Sequence, residues 1–181
     1  MTGLDQAAYS GIMNELSRTL ADMKEGDVYI TSFDGLSLYG VSMGGATVCM
    51  MSGLELPSCV KGIISDCAFT SPEEIFSNVL KAQYHLPAAP ILIPAGMMCQ
   101  AAAGYSFDEC SASEAVKKAS VPMLFIHGTA DTFVPYEMCS EIYSSCASRK
   151  DIFTVEGAGH IESYYKARGD YERKIEDFFG F

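Results

Sequence analysis

The chain has 181 residues, of which 49% are hydrophobic and 19% charged, enough for one domain with a packed core and too few for two comfortable ones. Its formal net charge of −11 repels phosphate backbones and anionic lipid, which argues against nucleic-acid or membrane-surface binding. Seven cysteines (Cys49, Cys59, Cys67, Cys99, Cys110, Cys139 and Cys146) show no CxxC pair and no metal-ligand spacing with the three histidines, so the expectation is a reducing, cytoplasmic setting with neither metal nor cofactor.

Taken in chain order, residues 4–24 read as a helix, with Ile12, Leu16, Leu20 and Met23 along one face and Gly26 ending it. No basic stretch leading into an apolar run marks a signal peptide. Val28–Phe33, the dipeptide Asp34-Gly35 and Leu36–Gly40 give two β-prone runs with a hairpin turn between them. From Gly40 onward strands and helices alternate. Gly45–Leu54 is a small-residue helix and Val60–Ser65 a buried strand, while Ser71-Pro72-Glu73-Glu74 opens a capped helix. Leu86–Gly104 is apolar but interrupted by Pro87, Pro90 and Pro94. Its unbroken remainder is too short to span a bilayer, so the segment should cover a core or line a pocket. Val121–His127 is a strand, Tyr136–Cys146 a helix, Asp151–Val155 a strand, and Gly169–Phe179 a closing amphipathic helix. This alternation predicts a single α/β domain over residues 1–181, with a mostly parallel sheet covered by helices on both faces.

Three stretches carry chemistry. Gly40-Val41-Ser42-Met43-Gly44-Gly45 matches the G-x-S-x-G nucleophile elbow, between a strand and a helix. Glycines on either side allow the close backbone approach such a strained turn requires, and the turn puts the Met43 N–H at a helix N-terminus, where it can stabilise an oxyanion. Read alone, the motif could equally be a Gly/Ser turn that starts a helix. Phe125–Pro135 runs from a buried strand into a loop bearing Asp131, the expected acid, which could instead cap the next helix. Val155–His160 ends in a loop histidine suited to act as a general base, though a lone loop histidine is more often a solvated one. The order Ser, Asp, His, each after a strand, joins the three into one triad of Ser42, Asp131 and His160. Asp66, at the end of the preceding strand, is the rival acid. His127 is read as shaping the Asp131 loop, His85 as structural or on a pocket rim, and Glu73, Glu74 and Glu156 as caps or solvated surface.

Gly40–Gly45, Ile64–Ser71, Ile126–Asp131 with Val134-Pro135, and Gly157–His160 resemble bacterial α/β hydrolases of the prolyl-oligopeptidase/serine-aminopeptidase-like group, over residues 36–181. Residues 27–36 resemble that family's amino-terminal hairpin, which a long stretch separates from the nucleophile strand. Here the two parts meet at Leu36–Gly40, so the resemblance implies an internally shortened, minimal α/β hydrolase lacking several amino-terminal strands and the loop that bears the second oxyanion donor. It further implies a serine carboxylesterase of modest rate on short-chain esters, with Met43, Phe69, Phe133 and the 86–104 segment as candidates for the acyl pocket. A peptidase or thioesterase on the same triad, or an impaired remnant acting as a binding module, are the alternatives. The unpaired edge beside the nucleophile strand predicts a homodimer or higher homo-oligomer through residues 1–40, with 86–104 as a further contact.

Overall fold

The computed structural model describes residues 31–32, 35–107 and 109–180. The expected amino-terminal helix and Val28–Ile30 lie outside the described residues, as do Phe33 and Asp34. Thr31–Phe181 forms one compact unit.

Among the described residues five strands make one sheet in sequence order: β1 (Thr31–Ser32), β2 (Gly35–Val41), β3 (Val60–Asp66), β4 (Met123–Gly128) and β5 (Lys150–Val155). β1 runs antiparallel to β2, and β2 to β5 run parallel. The hairpin is therefore present, but Gly35 pairs with Ser32 inside the ladder rather than sitting in the turn. β4 is buried at all six positions and β3 at all but Lys61, as expected of strands covered on both faces.

Among the described residues seven α-helices accompany the sheet: α1 (Met43–Met51), α2 (Pro72–Ala82), α3 (Ala89–Ala103), α4 (Ala112–Ala115), α5 (Tyr136–Ser145), α6 (Ser163–Lys166) and α7 (Arg168–Phe179). On one face of the sheet, Ile63, Met123 and Phe125 join Cys49 of α1, Val116 after α4, and Ile142 of α5 in a single core cluster. The intervening strand residues Ile64, Leu124 and Ile126 are equally buried and point the other way. On that face α7 buries Tyr171, Ile175 and Phe178, and Phe153 of β5 meets the Tyr171 ring edge-on. The expected layering, helices on both faces of a mostly parallel sheet, is what the structure has.

One local expectation held for a visible reason. Ser71 caps α2 by accepting the Glu74 N–H, with Pro72 as the first helical residue. Gly104, at a φ of 78°, ends α3 in the left-handed conformation that glycine adopts without strain. One expectation failed. Residues 89–103 are not interrupted by their prolines but form one continuous helix through Pro94. Pro90 lies in the first turn, where no donor is needed, and Pro94 removes only the bond that would reach the Pro90 carbonyl. None of the residues of α3 is buried, so it does not cover the core. No helix among the described residues is long and apolar enough to cross a membrane.

Candidate active site

Parallel strands in register bring their succeeding loops to one edge of the sheet, and here the ends of β2, β3, β4 and β5 align. Ser42 comes directly after β2. Its φ of 55° and ψ of −115° lie outside the ordinary allowed regions, the backbone strain expected of an elbow. The turn is held by the Ser42 N–H donating to the Asp66 carbonyl at 2.8 Å. A Cβ on Gly40 would stand 2.2 Å from the Gly44 oxygen, and one on Gly45 would stand 2.7 Å from the Asp66 oxygen. Gly40 and Gly45 are thus the glycines the turn requires. Gly44, the last glycine of the motif, has open space where a Cβ would point, a correction to the reading that both motif glycines are sterically required.

Behind the elbow, the Ser65 hydroxyl accepts from the Cys49 thiol at 3.2 Å and donates to the Gly45 carbonyl at 3.1 Å, tying α1 to β3. Ser42 stands at the N-cap position of α1 yet makes no side-chain cap bond. The Met43 N–H therefore heads the helix without a partner from the Ser42 hydroxyl, while the Met43 side chain is solvent-exposed.

That hydroxyl is engaged elsewhere. Ser42 Oγ lies 2.8 Å from His160 Nε2, and His160 Nδ1 lies 2.7 Å from Asp131 Oδ2. With Nδ1–H donating to the carboxylate, the imidazole lone pair faces the serine, the arrangement needed to take its proton. Asp131 is itself fixed, because Oδ1 accepts the Phe133 and Val134 N–H groups at 3.0 and 2.9 Å. Its side chain is fully shielded, whereas 19% of the His160 side chain reaches solvent. The three expected residues thus meet in one hydrogen-bonded chain.

The loops bearing acid and base are also stitched together. Thr129 N–H donates to the Val155 carbonyl at 3.0 Å and Ala130 N–H to the Ala158 carbonyl at 2.9 Å. Gly157 N–H returns a bond to Thr129 Oγ1 at 2.8 Å. Gly128 permits this approach, since a Cβ there would stand 2.2 Å from the Ala158 oxygen. Beside the base, Gly159 N–H donates to Glu162 Oε2 at 2.9 Å.

The remaining expected residues sort plainly. His127 shapes the Asp131 loop as expected: its buried Nε2–H donates to the Val134 carbonyl at 2.9 Å, and burial pushes its pKa below the ordinary value. Asp66 does not contact His160 by a hydrogen bond; it accepts from the Tyr171 hydroxyl at 2.8 Å, which in turn accepts from Tyr39 at 3.1 Å. Burial raises the Asp66 pKa to about 6. Phe133 faces the base, its ring centroid 5.0 Å from that of His160. Phe69 instead packs against the core cluster. His85 is exposed between α2 and α3, at a φ of 54°. The 86–104 segment lines a separate recess of about 280 Å³ through Leu92, Ile93, Gly96 and Met97, closed by Glu73 and Phe107.

Sequence reasoning misses Tyr171 and Cys67. Nothing in the α7 pattern distinguishes a tyrosine that stabilises a buried carboxyl from one that merely packs. Cys67, in an apolar stretch, reads as a small core residue. It is buried, but it sits just past β3 at a φ of 43°, and its thiol lies against the backbone of Ser42 and Ile161.

Comparison with known proteins agrees with this geometry. Residues 23–180 match the prolyl oligopeptidase family. An uncharacterized Bacillus subtilis protein, YqkD, is 29% identical over 143 residues, covering 79% of this chain and 47% of that protein. An uncharacterized Escherichia coli protein, YfhR, is 26% identical over 146 residues, covering 79% of this chain and 44% of its own length. The chain therefore spans about half the length of the curated relatives it matches. Among solved structures, a Pyrococcus horikoshii acylaminoacyl peptidase superposes with a TM-score of 0.64 at 16% identity, over 96% of this chain and 27% of that one. An esterase from Pyrococcus furiosus gives 0.58 at 15% identity, over 81% of this chain and 53% of that one. At such identities these likenesses speak to the fold, which is that of a shortened α/β hydrolase.

Proposed function

The chain belongs to the prolyl oligopeptidase family, and on that premise we propose that it is a serine hydrolase cleaving short-chain carboxylic esters with Ser42, His160 and Asp131. The observation that carries the reading is the continuous relay from Ser42 Oγ through His160 to Asp131, at 2.8 and 2.7 Å. His160 takes the hydroxyl proton as Ser42 Oγ attacks the ester carbonyl, and the Met43 N–H stabilises the oxyanion that forms. His160 then protonates the departing alcohol. Water attacks the acyl-enzyme with His160 again as base, releasing the acid and restoring Ser42. Asp131, held by two backbone amides, keeps the imidazole oriented and stabilises its charged form.

The exposed Met43 side chain and the Phe133 ring beside His160 flank the nucleophile, and we assign the acyl group to the space between them. Phe69 contributes to that wall only through the core it packs on. With the Met43 amide as the oxyanion donor in hand, activated esters suit the site best, because loss of a second donor costs on the order of 10²–10³ in kcat. Peptide cleavage is the second reading, favoured by the match to a peptidase family. A cytoplasmic setting belongs to the same proposal and rests on seven cysteines without a pairing framework.

The test is hydrolysis of p-nitrophenyl acetate and butyrate, with aminoacyl p-nitroanilides alongside, by the protein and its Ser42→Ala variant. Ester turnover that disappears in the variant, together with fluorophosphonate labelling at Ser42, is the expected result. Equal rates in both proteins overturn the assignment, and anilide turnover exceeding ester turnover moves the function to peptide cleavage.

A further inference from the structure

The sequence spacing of cysteines and histidines shows no metal site, yet the fold assembles one set of donors from the ends of three strands. A sulfur of Cys67, a carboxylate oxygen of Asp131 and a ring nitrogen of His160 all lie within 4.8 Å of one another. Cys67 is 1% exposed and the Asp131 side chain is fully shielded, while the partly open His160 gives an ion a way in. We infer that Cys67, Asp131 and His160 form an inhibitory site for a thiophilic divalent cation of the zinc class.

The donor set suits that class. Zinc takes thiolate sulfur at about 2.3 Å and imidazole nitrogen or carboxylate oxygen at about 2.0–2.2 Å, in tetrahedral sites. Those lengths call for donors roughly 3.3–3.8 Å apart, so the set closes by small side-chain rotations. The 2.7 Å His160–Asp131 bond has to open as the ion enters between its partners. A soft thiolate, a borderline imidazole and one carboxylate favour zinc over magnesium or calcium, which take oxygen ligands. Three protein ligands leave a fourth position for water or the neighbouring Ser42 hydroxyl.

Binding forms a sulfur–metal bond as the Cys67 S–H releases its proton to solvent. It also ties up an imidazole nitrogen. Coordination at Nε2 removes the lone pair that accepts the Ser42 proton; coordination at Nδ1 displaces the proton donated to Asp131. In the second case the ring proton moves to Nε2, which then faces Ser42 as a donor, so either way the base is disabled while the ion is bound. Loss of turnover rests on the proposed function, whereas formation of the metal site does not.

The experiment uses Zn²⁺ as inhibitor and Co²⁺ as spectroscopic probe on the whole chain, with Cys67→Ala, Cys67→Ser and the exposed-thiol control Cys59→Ser. Zn²⁺ is expected to suppress ester turnover and fluorophosphonate labelling of the unaltered protein. Each variant is referred to its own metal-free rate, and either Cys67 substitution should raise the inhibiting concentration at least about tenfold, near 1.4 kcal/mol of binding. Cys59→Ser should leave that concentration where it was. Co²⁺ should give a thiolate charge-transfer absorption that both Cys67 variants lose, and Zn²⁺ should raise the melting temperature through linkage. The last two readouts hold even for a protein that turns over no ester. Absence of the thiolate band in the unaltered protein, or equal zinc inhibition with and without Cys67, overturns the inference.

Discussion

Two buried carboxylates lie near the base, and hydrogen bonding tells them apart. Asp131 touches His160, while Asp66 is held by Tyr171 and has one oxygen, Oδ1, without a partner among the described residues. Asp131→Asn leaves the shape but presents a donor to Nδ1, turning the imidazole to the wrong tautomer. The expected loss in kcat is about 10⁴-fold, measured on an activated ester. Asp66→Asn should cost far less, and the reverse ranking would make Asp66 the acid. Asp66 bears on stability instead. Burial raises its pKa from the ordinary 3.8 to about 6, against the pull of the Tyr171 hydroxyl. The folded state therefore holds this proton more tightly than the unfolded chain, and stability falls as pH rises from about 4 to about 6. Above that window the full penalty remains, on the order of 2–3 kcal/mol. Asp66→Asn should flatten this limb in urea unfolding between pH 4 and 7 and stabilise the protein at pH 7. An unchanged pH dependence would show that the carboxyl ionises in the fold without penalty. Asp131, His160 and Ser42 were legible in the sequence because each comes after an apolar strand in a fixed order. The Tyr171 contact was not, because it joins residues 105 positions apart through tertiary packing alone.

At the scale of the element, the elbow shows how far a motif carries. The sequence pattern weights Gly40 and Gly44, but the structure requires Gly40 and Gly45. Gly45→Ala would drive a methyl into the Asp66 carbonyl, the group that receives the Ser42 N–H. Overpacking of this kind costs about 1–3 kcal/mol, and here the displaced turn carries the nucleophile, so fluorophosphonate labelling should fall with stability. Gly44→Ala places its methyl in open space within α1, where alanine favours the helix by up to about 1 kcal/mol over glycine. Thermal unfolding of the pair separates them. Equal destabilisation by both would mean that α1 shifts to absorb the added methyl. The opposite limit of legibility is α3. Its prolines read as breaks, yet the first turn accommodates Pro90 and the helix absorbs Pro94 at the cost of one backbone bond. Periodicity gave no help either, because a helix apolar on all sides has no face to detect.

At the scale of the whole molecule, the mostly parallel direction of the strands could be read from the alternation of strands and helices, while their order across the sheet came only with the structure. What alternation could not show is which surface is left open among the described residues. β1 pairs only with Gly35 and Leu36, so Ser37–Val41 of the nucleophile strand has no strand on its outer edge among the described residues. α3 carries no charged residue, and its Met97 and Met98 are 69% and 72% exposed. Open edges and contiguous apolar surface both favour association. We therefore propose that the chain forms a homodimer or larger homo-oligomer using the β2 edge and α3. A net charge of −11 opposes the approach of two copies, while the α3 contact itself carries no charge to be screened. Raising salt from low to physiological strength should then strengthen association as the Debye length shrinks from about 30 Å to about 8 Å. Light scattering at low micromolar concentration should show a mass above that of one chain. The double substitution Met97→Glu with Met98→Glu should lower that mass at constant salt, because each dimer would then bury four carboxylates. A single-chain mass for the unaltered protein at every salt concentration would place both surfaces in water.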